Sequence, residues 1–260
     1  MLTIILFVFV IIAVAAYFIF RKKNKVVIPL AKNEADNFAA LLNERVAFYA
    51  KLDATGKARF ETLITEFLND TNIEGVGTQV TTLDRLLIAS SAVIPIFGFP
   101  EWKYKNLTNV ILYPDTFDKD FQFEGGSRNI LGMVGSGYMN GQMLLSRAAL
   151  VKGFSSSAGM ENAAIHEFVH LLDKSDGTTD GVPENLMAHQ YTMPWLHMIH
   201  QEMHRIQSGK SDINPYGLTN EAEFFAVAAE YFFEKPQQFH QKHPELYEQL
   251  CLVFGQRPVA

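Results

Sequence analysis

Apolar residues crowd the start of the chain and then give way to periodic patterns. From Leu2 to Phe20, "LTIILFVFVIIAVAAYFIF" has Thr3 as its only polar side chain, and "RKKNK" follows at once. A helix of that length reaches roughly 28 Å, close to the hydrocarbon thickness of a bilayer. No basic residue precedes the run, and it is longer than the apolar core of a usual signal peptide, so it reads as an uncleaved transmembrane anchor over 1–20. Arg21, Lys22, Lys23 and Lys25 lie just beyond it. The positive-inside rule then leaves a single-pass membrane protein with the rest of the chain in the cytoplasm. A basic and polar linker occupies 21–32.

Past the linker, 35–50 and 57–68 carry apolar residues at three- and four-residue spacing, with "LDATGK" as the break between two predicted helices. Thr82 is the expected N-cap of a third, buried helix over 83–93, with Asp84 in its first turn. "NVILYP" (109–114) predicts a short buried strand ended by proline. Residues 115–140 show no periodicity and read as irregular loop or short strands. "GQMLLSRAAL" (141–150) is a second apolar strand; a plain core strand is favoured over a sheet edge that pairs with an extended peptide. Helices follow at 163–172 and 220–233. The pattern predicts one α+β domain over 33–260, mainly helical with a small sheet.

Composition narrows the chemistry. The net charge of −6 is the wrong sign for a nucleic-acid-binding surface. Cys251 is the single cysteine, so no intrachain disulfide forms and no thiolate cluster holds a metal. Its solitude also suits the cytoplasm. Any metal must be held by His, Asp or Glu.

The stretch "AAIHEFVHLLDKSDG" (163–177) supplies such residues. Residues four apart stack on one helix face, so His166 and His170 project together and a zinc ion bridges their imidazoles. Glu167, one step round, is placed to take a proton from water and hand it to a leaving amine. The remaining positions are apolar, and a buried helix with these polar groups needs partners for all of them, which a metal supplies at once. Catalytic zinc takes a third protein ligand. Asp176 lies in line, six residues after His170, but Asp173 stands where the extended motif needs a turning glycine. The alternative is a glutamate on the helix "NEAEFFAVAAEYFF" (220–233), where Glu223 and Glu230 share one face among apolar neighbours; Glu223 is favoured. Glu221 reads as a helix N-terminal charge. Glu202, in "HQEMHR", reads as lying on an exposed helix. Asp173 and Glu230 are candidates to hydrogen-bond the ligating histidines from behind. His189, His197, His200 and His204 read as a polar helix face in preference to a second metal site.

With these residues in view, the chain resembles the bacterial titration-factor-A family of zinc peptidases over most of 45–255. The resemblance rests on "VILYPDTF", "HEFVHLLDKSDG", "GVPEN" and above all "YGLTNEAEFFAVAAEYFFEKP". It implies a zincin-like, gluzincin-type site: zinc on His166, His170 and Glu223, with Glu167 as general base. It also points to Tyr216 as donor to the tetrahedral oxyanion, a role a phenol performs where charge develops; the alternative for Tyr216 is a turn-packing aromatic. Family members are aminopeptidase-like on small test substrates, their catalytic domain is similar to that of anthrax lethal factor, and the founding member sequesters the sugar-responsive repressor Mlc. That member lacks a membrane anchor, so its partner does not transfer directly. The expectation is a membrane-anchored zinc peptidase acting on a peptide or protein substrate. The rival expectation is a regulator that sequesters a protein partner, with zinc structural.

Overall fold

A computed structural model describes residues 32–99, 101–124, 128–135, 137–155, 157–187 and 192–258. The expected anchor, all of the linker but Lys32, and His189 lie outside the described residues, among which no helix is long and apolar enough to cross a membrane.

Three helices open the domain: α1 (Lys32–Arg45), α2 (Ala47–Ala50) and α3 (Ala54–Asp70). The expected single helix over 35–50 is broken at Val46, whose backbone is extended. α3 starts three residues earlier than its periodicity suggested because Asp53 caps it, accepting from Gly56 N at 2.7 Å. β1 (Asn72–Gly75) then leads to α4 (Thr82–Ile96). Thr81, not Thr82, is the N-cap of α4. Its hydroxyl accepts from Asp84 N while the Asp84 carboxylate accepts from Thr81 N, a reciprocal capping box. From Leu86 to Ile96 every residue of α4 is buried, as its apolar composition requires.

β2 (Asn109–Tyr113), β3 (Gly132–Val134) and β4 (Gln142–Ser146) complete a four-stranded sheet of order β1-β2-β4-β3. β1, β2 and β4 are parallel, and β3 pairs antiparallel with β4. Because side chains alternate across the sheet, Ile73, Val110, Leu112, Met143 and Leu145 enter the main core. Leu144 joins Tyr113 and Phe117 in a smaller cluster on the other face, with Ile111 and Met133 against it. β4 is therefore an inner strand, as favoured, and the edges are β1 and β3, the latter inside the segment that looked irregular.

The remaining elements are α5 (Arg147–Gly153), α6 (Ala163–Asp173), α7 (Thr192–Gln207), α8 (Glu221–Glu234), α9 (Pro236–Lys242) and α10 (Pro244–Phe254). α6 is buried against α8 on one side and faces β3 on another. Phe225 and Phe232 of α8 stack on Phe254 of α10 at 5.7 and 5.6 Å between ring centroids, an aromatic block that fixes α8 in the core.

Glu202 corrects the expectation of an exposed helix. It is buried on α7, with its carboxylate 3.0 Å from His243 Nδ1 and accepting from Ser211 Oγ and Arg205 Nη1. The other ring nitrogen of His243 lies 2.8 Å from Asp212, which also accepts from Tyr231 and Lys242. Burial alone pulls the His243 pKa down, but the carboxylates of Glu202 and Asp212 on either side of the ring outweigh it and raise it above 6.5. Burial pushes Glu202 up, but His243 and Ser211 bring it below 4.5; Asp212 is lowered likewise, its burial outweighed by Lys242, His243 and Tyr231. The raised histidine stabilises the fold fully below 6.5 and ceases to as pH rises through its folded value; the depressed acids stabilise it above 4.5 and cease to as pH falls. His243→Gln is therefore expected to destabilise most between pH 4.5 and 6.5, the gap from the unsubstituted protein narrowing on either side, as read by urea denaturation across pH.

Candidate metal centre

Asn162 sets the start of α6: its side-chain oxygen accepts from Ile165 N at 3.2 Å, so the helix begins where its first ligand candidate falls inward. Asn220 does the same for α8, accepting from Glu223 N at 2.9 Å. The packed pair brings three groups together. His166 Nε2 lies 2.9 Å from Glu223 Oε2 and 3.1 Å from His170 Nε2, and His170 Nε2 lies 3.4 Å from the same carboxylate oxygen. Among the described residues this is the one cluster of three or more His, Cys, Asp or Glu donors within reach of a common ion.

Asp176 is not part of it. It sits on a 3-10 turn, Lys174–Asp176, where its carboxylate accepts from Thr178 and from Glu184 N. Glu230 occupies the place expected of it, behind His166, with Oε1 2.8 Å from Nδ1. A carboxylate there accepts from Nδ1–H and turns Nε2 into the cluster. Asp173 does not support a histidine. Its Oδ2 accepts from Gly181 N at 2.9 Å, and neither its Oδ1 nor His170 Nδ1 has a hydrogen-bond partner. The shared face of His166, His170 and Asp173 was legible, but the Asp173 carboxylate turns to the following loop. Gly181 is a knot in that loop. Its carbonyl accepts from Trp195 Nε1 at 2.7 Å, and a Cβ on it would lie 2.3 Å from the Glu221 carbonyl oxygen.

The electrostatics fit a divalent cation. Burial lowers the His166 pKa, but hydrogen bonds with Glu223 and Glu230 and the charges of Glu230 and Glu167 carry it up to about 10. A buried imidazole pushed that way marks an excess of negative charge. Burial would raise Glu223, yet His166 and His170 hold it to about 2, as an ionised carboxylate. Two imidazoles and a carboxylate are also the donor set of a class of catalytic zinc sites.

Glu167 is buried beside this cluster, its pKa raised by burial against the pull of His166 and His170. Sequence reasoning missed what presses on it. A Cβ on Gly132 of β3 would lie 2.6 Å from Glu167 Cγ and 2.9 Å from its Oε1, so only glycine lets the edge strand close over this carboxyl. Tyr216 lies on the 3-10 turn Pro215–Leu218, half exposed, its ring centroid 6.0 Å from that of His166. Burial, then the charges of Glu223 and Glu167, raises its pKa and keeps the phenol protonated. His197, His200 and His204 are exposed on α7, and His200 pairs with Glu221 at 3.0 Å. Asn162 and Glu234 were also missed: Asn162 N donates to Glu230, and its amide donates to Glu234 Oε1 at 2.9 Å. The spacing of Glu234, one turn beyond Glu230, was the available signal.

A buried carboxyl beside a two-histidine, one-glutamate cluster is the arrangement of a metallopeptidase. Residues 20–255 match the family described as glucose-regulated metallo-peptidase M90, and the chain belongs to that family. It is similar to proteins called Mlc titration factor A, which bears out the resemblance read from the motifs. It is 28% identical to the one from Klebsiella pneumoniae over 81% of this chain and 83% of that protein. It is 30% identical to the one from Cronobacter sakazakii over 70% and 72%. An uncharacterized protein of Synechocystis is 29% identical over 86% and 85%.

Asp173→Ala leaves the buried Gly181 N–H without a partner and is expected to lower stability by about 1–3 kcal/mol in chemical denaturation, while metal content measured on the same samples stays that of the unsubstituted protein.

Proposed function

We propose that the protein is a zinc-dependent peptidase, aminopeptidase-like on small substrates, with His166, His170 and Glu223 as ligands and Glu167 as general base. The reading is carried by the buried Glu167 carboxyl beside the donor cluster: a group that burial keeps reluctant to ionise exchanges protons readily near neutral pH. When bound, zinc supplies Lewis-acid polarisation of the scissile carbonyl and acidifies water. Glu167 accepts the proton of the attacking water and delivers it to the leaving amine. Glu230 holds the His166 ring in one tautomer throughout. The Tyr216 hydroxyl, in the field of both carboxylates, donates to the oxyanion as negative charge develops on the substrate.

The second reading, a regulator that captures a protein partner around a structural metal, takes support from the relatives named Mlc titration factor A. A structural site has no use for Glu167, which favours catalysis. Glu167→Gln should reduce peptide hydrolysis by about a hundredfold or more at unchanged zinc content; hydrolysis that persists in the variant sinks the mechanism. In the same metal assay Glu223→Ala loses zinc and Asp176→Ala retains it.

The apolar run over 2–20 and the basic residues after it support anchoring of this peptidase to the cytoplasmic face of a membrane. Carbonate washing should leave the full chain in the membrane pellet. Its release into the supernatant would remove the anchor from the proposal.

A further inference from the structure

A cavity of about 720 Å³ lies against the ends of α6 and α8 remote from Glu223, with Ile165, Phe233 and Glu234 in its wall. Its charge is unlike that of the whole protein. The net charge of the chain is −6, yet Arg45, Lys51, Arg59, Lys235 and Arg257 line this cavity against Glu44 and Glu234 alone among acids. Arg45 is paired with Glu44 and Arg257 with Glu248, while Arg59 bonds the Phe99 carbonyl. No ion pair engages Lys51 or Lys235 among the described residues, and both act on Glu234. Phe48, Phe97 and Phe154, each half-buried, give the same cavity an aromatic wall.

The cavity touches the back of the metal centre through real bonds. Glu234 Oε1 accepts from the Asn162 amide, Asn162 N donates to Glu230, and Glu230 meets His166 Nδ1. Gly153 of the cavity wall presses on the same amide: a Cβ there would lie 2.9 Å from Asn162 Oδ1. Burial holds Glu234 up to about 7, so its charge responds to whatever sits beside it.

We propose that this cavity is a second ligand site, taking a small amphiphilic anion with its carboxylate or phosphate head on Lys51 and Lys235 and its apolar body on the phenylalanines, and that its occupancy is felt at His166 through Glu234, Asn162 and Glu230. Charge complementarity selects the occupant.

The test uses the full zinc-loaded chain in phosphatidylcholine nanodiscs, titrated calorimetrically with 4-phenylbutyrate, phenyl phosphate and the neutral 4-phenylbutanamide. Both anions are expected to bind saturably, the amide about tenfold more weakly or worse. The Lys51→Glu, Lys235→Glu double variant is expected to lose about tenfold in anion affinity while still unfolding cooperatively on heating. Competition by phosphatidylglycerol discs assigns the head to a lipid, and its absence assigns a soluble acid; either result fits the site. Saturating 4-phenylbutyrate should change affinity for a competitive peptide inhibitor about fivefold, and Glu234→Ala should keep the anion but lose that response. No saturable binding, binding matched by the neutral amide, indifference to charge reversal, or a response that survives Glu234→Ala overturns the proposal. Binding is read without any hydrolysis, so failure of the peptidase reading is distinguished from failure of this site.

Discussion

The bond between Glu230 of α8 and Nδ1 of His166 on α6 is the interaction on which the rest of the centre depends. It crosses between helices far apart in sequence, and it decides which nitrogen of His166 carries the proton. With Nδ1–H given to Glu230, Nε2 is the nitrogen turned toward Glu223 and His170. A carboxyl group this deep is costly unless its oxygens are hydrogen-bonded, and Asn162 N takes the second oxygen. The start of α6, the ring orientation and the charge of the cluster are thus one coupled arrangement.

That arrangement needs α8 in the core, which explains its composition. Phe224, Phe225 and Phe232 are fully buried, and the stack on Phe254 gives α8 an apolar setting on most of its circumference. The only polar stripe left to it is the one that carries Glu223 and Glu230. Strength of packing and placement of charge follow from the same pattern: large apolar residues hold the helix where Glu230 is buried and Glu223 keeps only part of its side chain in solvent.

The same logic accounts for what could be read in advance. The metal helix and α8 were legible because each shows a glutamate or histidine at helical spacing against an apolar background. β3 was not, since three residues beginning with glycine carry no alternation, and its place depends on pairing with β4 and on contact with Glu167. Glu202 was misjudged from its polar neighbours "HQEMHR", although Trp195, Ile199 and Ile206 put it on a buried stripe at helical spacing. Asp173 was placed on the correct face, but no local pattern foretells that its carboxylate turns to Gly181. Asn162 and Glu234 meet only through the fold, so spacing within either helix could suggest a shared face but not the partner.

Gly181 and Asn162 have a joint consequence. Gly181 bonds Asp173 at the end of α6 and lies too close to the Glu221 backbone at the start of α8 for a side chain, and Asn162 joins the start of α6 to the far half of α8. Slipping the two helices past one another by a turn, roughly 5.4 Å, would break the Asn162–Glu230 bond and disturb the close approach of Gly181 to the Glu221 backbone. The spacing of His166, His170 and Glu223 is therefore set by the polypeptide alone. A frame of this kind needs little further ordering to hold an ion, because the entropy of bringing such donor groups together is spent during folding.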